Sequence, residues 1–105
     1  MPRIDEYLGE ILDRKGSDLH YIAGDPPRIR LFGDLSPLRP ERLDPAAVKE
    51  VLYEIMPHKA VARFESKDGA DFAYTIPGVS RFRVNVFRHI GGLGGVFRAI
   101  PSKAL

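Results

Sequence analysis

The sequence predicts an α+β domain in which helices cover one face of a single antiparallel sheet of about six strands. Two observations lead to this fold class. Apolar residues recur at helical spacing in three segments, whereas in others they alternate with polar residues as in strands. Residues typical of turns separate the strand segments by only a few positions. The 105 residues are enough for one modest core, and no internal repeat is visible.

The first half of the chain is predicted to form one helix and three short strands. The helix runs from Ile4 to Arg14, and Lys15-Gly16 ends it with a glycine that can adopt a left-handed conformation. Gly33-Asp34 is the predicted two-residue turn between the second and third strands. The three strands cover Leu19–Ala23, Arg28–Phe32 and Leu35–Leu38.

Two helices and three further strands are predicted for the second half. Asp44-Pro45 begins a helix, because an oxygen-bearing N-cap precedes a proline at the first helical position. Pro57 ends that helix and starts the next, which runs from His58 to Lys67 and stops at Asp68-Gly69. The last strands cover Phe72–Ile76, Arg81–Phe87 and Gly95–Ile100, which completes the order αβββααβββ.

Several classes of site are excluded or unsupported by composition. The chain has no cysteine, which excludes disulfides, zinc–thiolate sites and thiol chemistry. His20, His58 and His89 lack the spacing of metal ligands, and the serines have no recognisable catalytic partners. The glycine-rich run 91–95 lacks the Lys-Ser/Thr ending of a phosphate loop and is interpreted as a flexible hairpin loop. With no apolar run of about 20 residues and no signal-peptide core, a soluble cytosolic protein is expected.

Charge is distributed unevenly along the chain. Residues 1–71 carry 11 basic and 14 acidic side chains, whereas residues 72–105 carry five basic side chains and no acidic one. Eleven of the 16 basic residues are arginine, whose planar guanidinium suits phosphate and carboxylate. The late segment is therefore a candidate anion site, although a solvated basic surface would have the same composition.

Alternation on the last two strands predicts where the arginines meet. Matching the apolar faces of these strands centres the turn near Gly91 and sets Arg83 directly across from Arg98. Like charges at opposed positions are destabilising. A carboxylate from an earlier strand, exposure to water or a bound anion could each offset the repulsion. Asp18 is interpreted at this point as a turn or capping residue.

Four stretches of the sequence resemble one family over the whole chain. They are Ser17-Asp18-Leu19-His20, residues 28–35, residues 81–87, and residues 96–103 with the ending Ile-Pro-Ser-Lys. Together they resemble the retraction ATPases of type IV pili, in the secretion ATPase superfamily. The loop 88–91 departs from the usual pattern of these ATPases, which leaves a close paralogue open.

This resemblance implies that residues 1–105 form the PAS-like N-terminal domain of a motor. The RecA-like domain with its Walker motifs is absent from this sequence, so this fragment is expected to be inactive alone and to hold no catalytic residue, metal or cofactor. In the family, two arginines of this domain reach the phosphates of ATP, whose Mg²⁺ is bound by the RecA-like domain. By position these arginines are Arg83 and Arg98, with Arg81 as a possible support.

The resemblance also implies partners and a location. The partners would be the chain's own and neighbouring RecA-like domains in a homohexamer, and a pilus platform protein at the cytoplasmic face of the inner membrane. Neither nucleic acid binding nor membrane insertion is expected. Two other functions remain open: a freestanding PAS-like sensor with an enclosed apolar pocket, and a basic nucleic-acid-binding module with aromatic residues beside the arginines. Phe87 shares the predicted arginine face.

Overall fold

The structure is a computed structural model that describes residues 2–101. Ser102 and Lys103, which complete the Ile-Pro-Ser-Lys ending, lie outside the described residues. The element order αβββααβββ agrees with the sequence prediction. The elements are α1 (Ile4–Asp13), β1 (Asp18–Ile22), β2 (Arg28–Leu31), β3 (Asp34–Pro37), α2 (Pro45–Ile55), α3 (His58–Lys67), β4 (Gly69–Ile76), β5 (Ser80–His89) and β6 (Gly92–Ile100).

The six strands form one sheet in the order β3-β2-β1-β6-β5-β4, and every neighbouring pair is antiparallel. Three helices pack on one face, with α1 beside β1, α2 on β6 and α3 beside β4. Leu19, Phe97 and Val84 point into the core under these helices. We call the face of the sheet opposite these helices the open face. Within residues 2–101, no helix is both long and apolar enough to cross a membrane.

Local signals fix where α2 and α3 begin. The Asp44 side chain accepts a hydrogen bond from the Ala47 backbone N–H at 3.1 Å, and Pro45 is the first helical residue. Pro57 has an extended conformation and separates α2 from α3. Both predicted starts are therefore confirmed.

The end of α1 differs from the prediction. The left-handed residue is Lys15, with φ of 60°, and not Gly16. The Lys15 N–H donates to Leu12 O at 3.1 Å, and the Gly16 N–H donates to Ile11 O at 2.8 Å, which is a Schellman ending. Gly16 is needed for another reason: a Cβ there would lie 2.8 Å from the Ile29 side chain.

The hairpin between β2 and β3 turns one residue earlier than predicted. Leu31 pairs with Asp34, so the turn consists of Phe32 and Gly33. Their φ angles are 50° and 85°, the positive values that a type I′ turn requires at both central positions. The prediction extended β2 to Phe32, but the structure places this residue in the turn and leaves it 95% exposed.

The glycine-rich run was wrongly interpreted as a flexible loop. Residues 81–89 and 92–100 pair without interruption, and only Ile90 and Gly91 form the turn, centred where the alternation predicted. A Cβ at Gly94 would lie 2.8 Å from the Phe87 ring, and a Cβ at Gly95 would lie 2.8 Å from the Leu52 side chain. These strand glycines therefore give room to neighbouring side chains. β4 is also longer than predicted, beginning at Gly69.

Candidate functional site

The open face brings the predicted arginines together. Arg83 on β5 lies directly opposite Arg98 on β6, as the alternation predicted. Both residues are exposed, while the alternating Phe82, Val84 and Phe97 are buried on the other face. Arg81, the third predicted residue, is exposed on the same face, two positions along β5 and opposite Ile100.

A carboxylate from an earlier strand offsets the repulsion between the arginines. Asp18 lies opposite Arg98 on the other side of β6, and its Oδ2 accepts a hydrogen bond from Arg98 Nη2 at 3.2 Å. Asp18 is only 3% exposed. Its interpretation as a turn or capping residue was wrong, because it is the first residue of β1. No local pattern indicates this pair, because its members are 80 residues apart in the sequence.

Beside the arginine pair lies a depression that opens to solvent. Its volume is about 430 Å³, and Arg83, Arg98, Asn85, Asp71 and Val96 line it. Asn85 Nδ2 donates to Asp71 Oδ1 at 2.8 Å, which occupies one acceptor position of this carboxylate and leaves its negative charge in place. The depression therefore presents two guanidinium groups to an anion, and one carboxylate, Asp71, lines it beside Asn85 on the neighbouring strand.

The positive charge extends beyond the predicted residues. Arg30 on β2 lies opposite Asp18, which makes a row of Arg30, Asp18, Arg98 and Arg83 across four neighbouring strands. Arg28 stands on the same face, opposite His20. The alternation of β2 had set both arginines on one face, but nothing local linked that face to the late arginines. Only the pairing of β1 with β6 joins the two halves of this surface.

The pKa of His20 depends on the charges of this surface. Its pKa is lowered from the ordinary value, mainly because burial disfavours the charged imidazole and next because Arg30 is nearby. Arg98 and Arg28 act in the same direction, whereas Asp18 opposes them. The charge balance around His20 is thus positive, as an anion site requires.

The two other functions fit this geometry less well. Phe87 lies on the open face, four residues from Arg83 along β5, and its ring covers Gly94 on β6. At that position the ring cannot stack on a base held at the arginines. The depression at the arginines is open to solvent and lined by charged and polar as well as apolar side chains, unlike the enclosed apolar pocket of a small-ligand sensor. No group of three or more His, Asp or Glu side chains among residues 2–101 is placed to hold a metal ion.

Two known proteins with similar sequences are ATPases of type IV pili. The chain is 43% identical over 102 residues to the type IV pilus retraction ATPase PilT of Pseudomonas aeruginosa, which covers 97% of this chain and 30% of that protein. It is 29% identical over 98 residues to the type IV pilus ATPase PilU of the same organism, covering 93% and 26%. No family model matches the chain. The chain spans less than a third of the length of these relatives.

Solved structures agree with the sequence relatives. The crystal structure of the pilus retraction motor PilT with bound ADP superposes with a TM-score of 0.87 and 32% identity, covering 95% of this chain and 29% of that chain. The Legionella pneumophila ATPase DotB gives a TM-score of 0.82 at 23% identity, with the same coverage, and shares the fold. On sequence and fold together, the chain is a PilT-like N-terminal domain.

Proposed function

We propose that this chain is the nucleotide-responsive N-terminal domain of a hexameric type IV pilus retraction motor. The observation that carries the proposal is the register that sets Arg83 opposite Arg98 on an exposed, positively charged face. The similarity to PilT, whose structure was solved with ADP, supports nucleotide as the anion. In the whole protein, a RecA-like domain with Walker motifs holds ATP and Mg²⁺, and this domain contributes the arginines.

The chemistry assigned to the arginines is electrostatic. A guanidinium offers fork-shaped, charge-assisted hydrogen bonds that match phosphate oxygens, and a phosphate between Arg83 and Arg98 turns their repulsion into attraction. Positive groups held in place beside the transferring phosphoryl group stabilise charge that develops in the transition state. Arg81 stands close enough on the same strand to add to this field.

The arginines also make closure of the motor depend on nucleotide state. With ATP bound, the domain is held over the phosphates of its own or a neighbouring RecA-like domain, and loss of phosphate releases it. Successive closure around a homohexamer converts hydrolysis into movement. The motor acts at the cytoplasmic face of the inner membrane, where a pilus platform protein receives the movement.

The test replaces each arginine with alanine in the full-length motor. We expect Arg83→Ala and Arg98→Ala to lower the steady-state ATPase rate about 10²- to 10³-fold, because each removes a contact that strengthens in the transition state. Lysine should restore only part of the rate, since a point charge lacks the guanidinium fork. Arg63→Ala is the matched control, an exposed arginine on α3 at the helical side of the domain.

Melting temperatures separate this effect from a loss of stability. Arg83→Ala removes a like-charge contact and should leave the melting temperature nearly unchanged. Arg98→Ala removes the partner of buried Asp18 and should lower it, so the Arg83 variant gives the cleaner test. Near-normal turnover in both alanine variants would show that these arginines make no catalytically important contact with nucleotide.

A further inference from the structure

Asp18 is the one buried charged side chain that the structure identifies among residues 2–101. It lies on the open face of β1, with Arg30 of β2 directly opposite on one side and Arg98 of β6 directly opposite on the other. Removing a carboxylate from water is costly unless the charge is paired. A carboxylate at this place in the sheet therefore calls for a reason beyond packing.

Asp18 bonds only one of the two flanking arginines. Its Oδ2 lies 3.2 Å from Arg98 Nη2. The Arg30 guanidinium instead donates to the Gly33 carbonyl oxygen at 2.9 Å, in the turn that follows its own strand. The Asp18 carboxylate thus holds Arg98, which lies beside Arg83 at the depression. Arg30 instead bonds within its own hairpin.

In the ion pair between Asp18 and Arg98, one side chain is buried and the other is exposed. The Asp18 side chain is 4% exposed, whereas the Arg98 side chain is 69% exposed. A single bond from Nη2 uses one of the guanidinium N–H donors and leaves the rest free for another acceptor. An anion in the depression can therefore bind Arg98 without displacing Asp18.

From this geometry we propose that Asp18 is a positioning residue, which holds the Arg98 guanidinium beside Arg83 in the orientation that receives phosphate. The inference rests on the proposed function, because it assigns Asp18 to the same nucleotide contact. A side chain fixed before binding loses less conformational freedom when it binds, and a small displacement of a contacting group has a large effect on rate. The carboxylate also lowers the repulsion between Arg83 and Arg98 before nucleotide arrives.

A competing role for Asp18 predicts the opposite sign. If Asp18 imitated a phosphate and withheld Arg98 from nucleotide, removal of its charge would raise kcat/KM for ATP. If Asp18 positions Arg98, removal of its charge lowers kcat/KM. The direction of the change therefore separates the two roles.

The experiment is a double-mutant cycle in the full-length motor. Asp18→Asn, which keeps the shape and removes the charge, is expected to lower kcat/KM for ATP about 10-fold or more. In an Arg98→Ala background the same substitution should change kcat/KM less than about twofold, because the residue it acts through is gone. The matched control is Asp68→Asn, which breaks an exposed carboxylate–arginine pair at the other end of the domain, Asp68 Oδ1 to Arg88 Nε at 2.9 Å.

Each outcome bears on one proposal. A higher kcat/KM in Asp18→Asn, or an equal loss with and without Arg98, would overturn the positioning role. An unchanged kcat/KM in Asp18→Asn, together with a strong loss in Arg98→Ala, would overturn it while the phosphate role of Arg98 stands. A normal rate in Arg98→Ala would refute the phosphate role itself. If Asp18→Asn is too unstable to assay, Asp18→Glu retains the charge, shifts the carboxylate, and should lower kcat/KM through Arg98 alone in the same cycle.

Discussion

At the scale of single residues, Phe32 combines an unfavourable backbone conformation with a side chain that is almost fully in water. Its φ of 50° lies in the left-handed region, which side chains with a Cβ avoid, and 95% of its surface is exposed. The following Gly33 tolerates its φ of 85° without such strain. Phe32, the first residue of the turn, therefore adds backbone strain to the β2–β3 hairpin, and the packing of its side chain does not offset this strain.

Replacing Phe32 with asparagine should stabilise the domain. Asn-Gly is the favoured pair in type I′ turns, since asparagine tolerates positive φ. We expect Phe32→Asn to raise the free energy of unfolding by about 1 kcal/mol, measured by urea denaturation. Val79→Asn is the control, because Val79 is also an exposed apolar residue but has no positive φ. Equal or lower stability in Phe32→Asn would show that the turn is not strained.

At the scale of elements, the packing of α2 on β6 depends on a missing side chain. Gly95 is buried on the helix-covered face, where a Cβ would lie 2.8 Å from Leu52 Cδ2 and 3.3 Å from the Phe97 ring. Leu52 is fully buried and has little space into which to move. The absence of a side chain at Gly95 therefore allows α2 to approach β6 closely.

Adding one methyl group at Gly95 should separate α2 from β6. We expect Gly95→Ala to lower the free energy of unfolding by about 1–3 kcal/mol, because overpacking forces neighbouring side chains out of their rotamers. Gly9→Ala on α1 is the matched control: nothing lies within 4 Å of its Cβ, and alanine favours the helix by about 1 kcal/mol. Urea denaturation of both variants measures the contrast. Equal changes in the two would contradict this account of the glycine run.

The elements also show which features a sequence reveals. The caps at Asp44 and Pro57 are local, so the starts of α2 and α3 could be predicted. The register of β5 on β6 could be predicted too, since a shift by one residue would turn the buried faces outward. The partner of Arg98 could not be predicted, because the pairing of β1 with β6 leaves no signal in the residues near Asp18.

At the scale of the whole molecule, the domain has the core of an independent folding unit. Among residues 2–101, twenty apolar side chains from the helices, the sheet and the residues directly after β1 and α2 form one buried cluster. We expect the isolated chain to be a folded monomer at micromolar concentration in analytical ultracentrifugation. We also expect no ATP turnover, because two arginines cannot replace a phosphate loop. A discrete hexamer, or turnover above the buffer background in highly purified protein, would contradict this prediction.

The position of β6 has a mechanical consequence for such a domain. Among residues 2–101 it is the last strand in sequence order, yet it lies in the middle of the sheet, paired with β1 on one side and with β5 on the other. Tension applied at Pro101 in the direction of β6 would load the hydrogen bonds to both neighbouring strands together in shear, so that they would not separate one by one. Force entering at that point spreads through the centre of the sheet, across the same strand that carries Arg98.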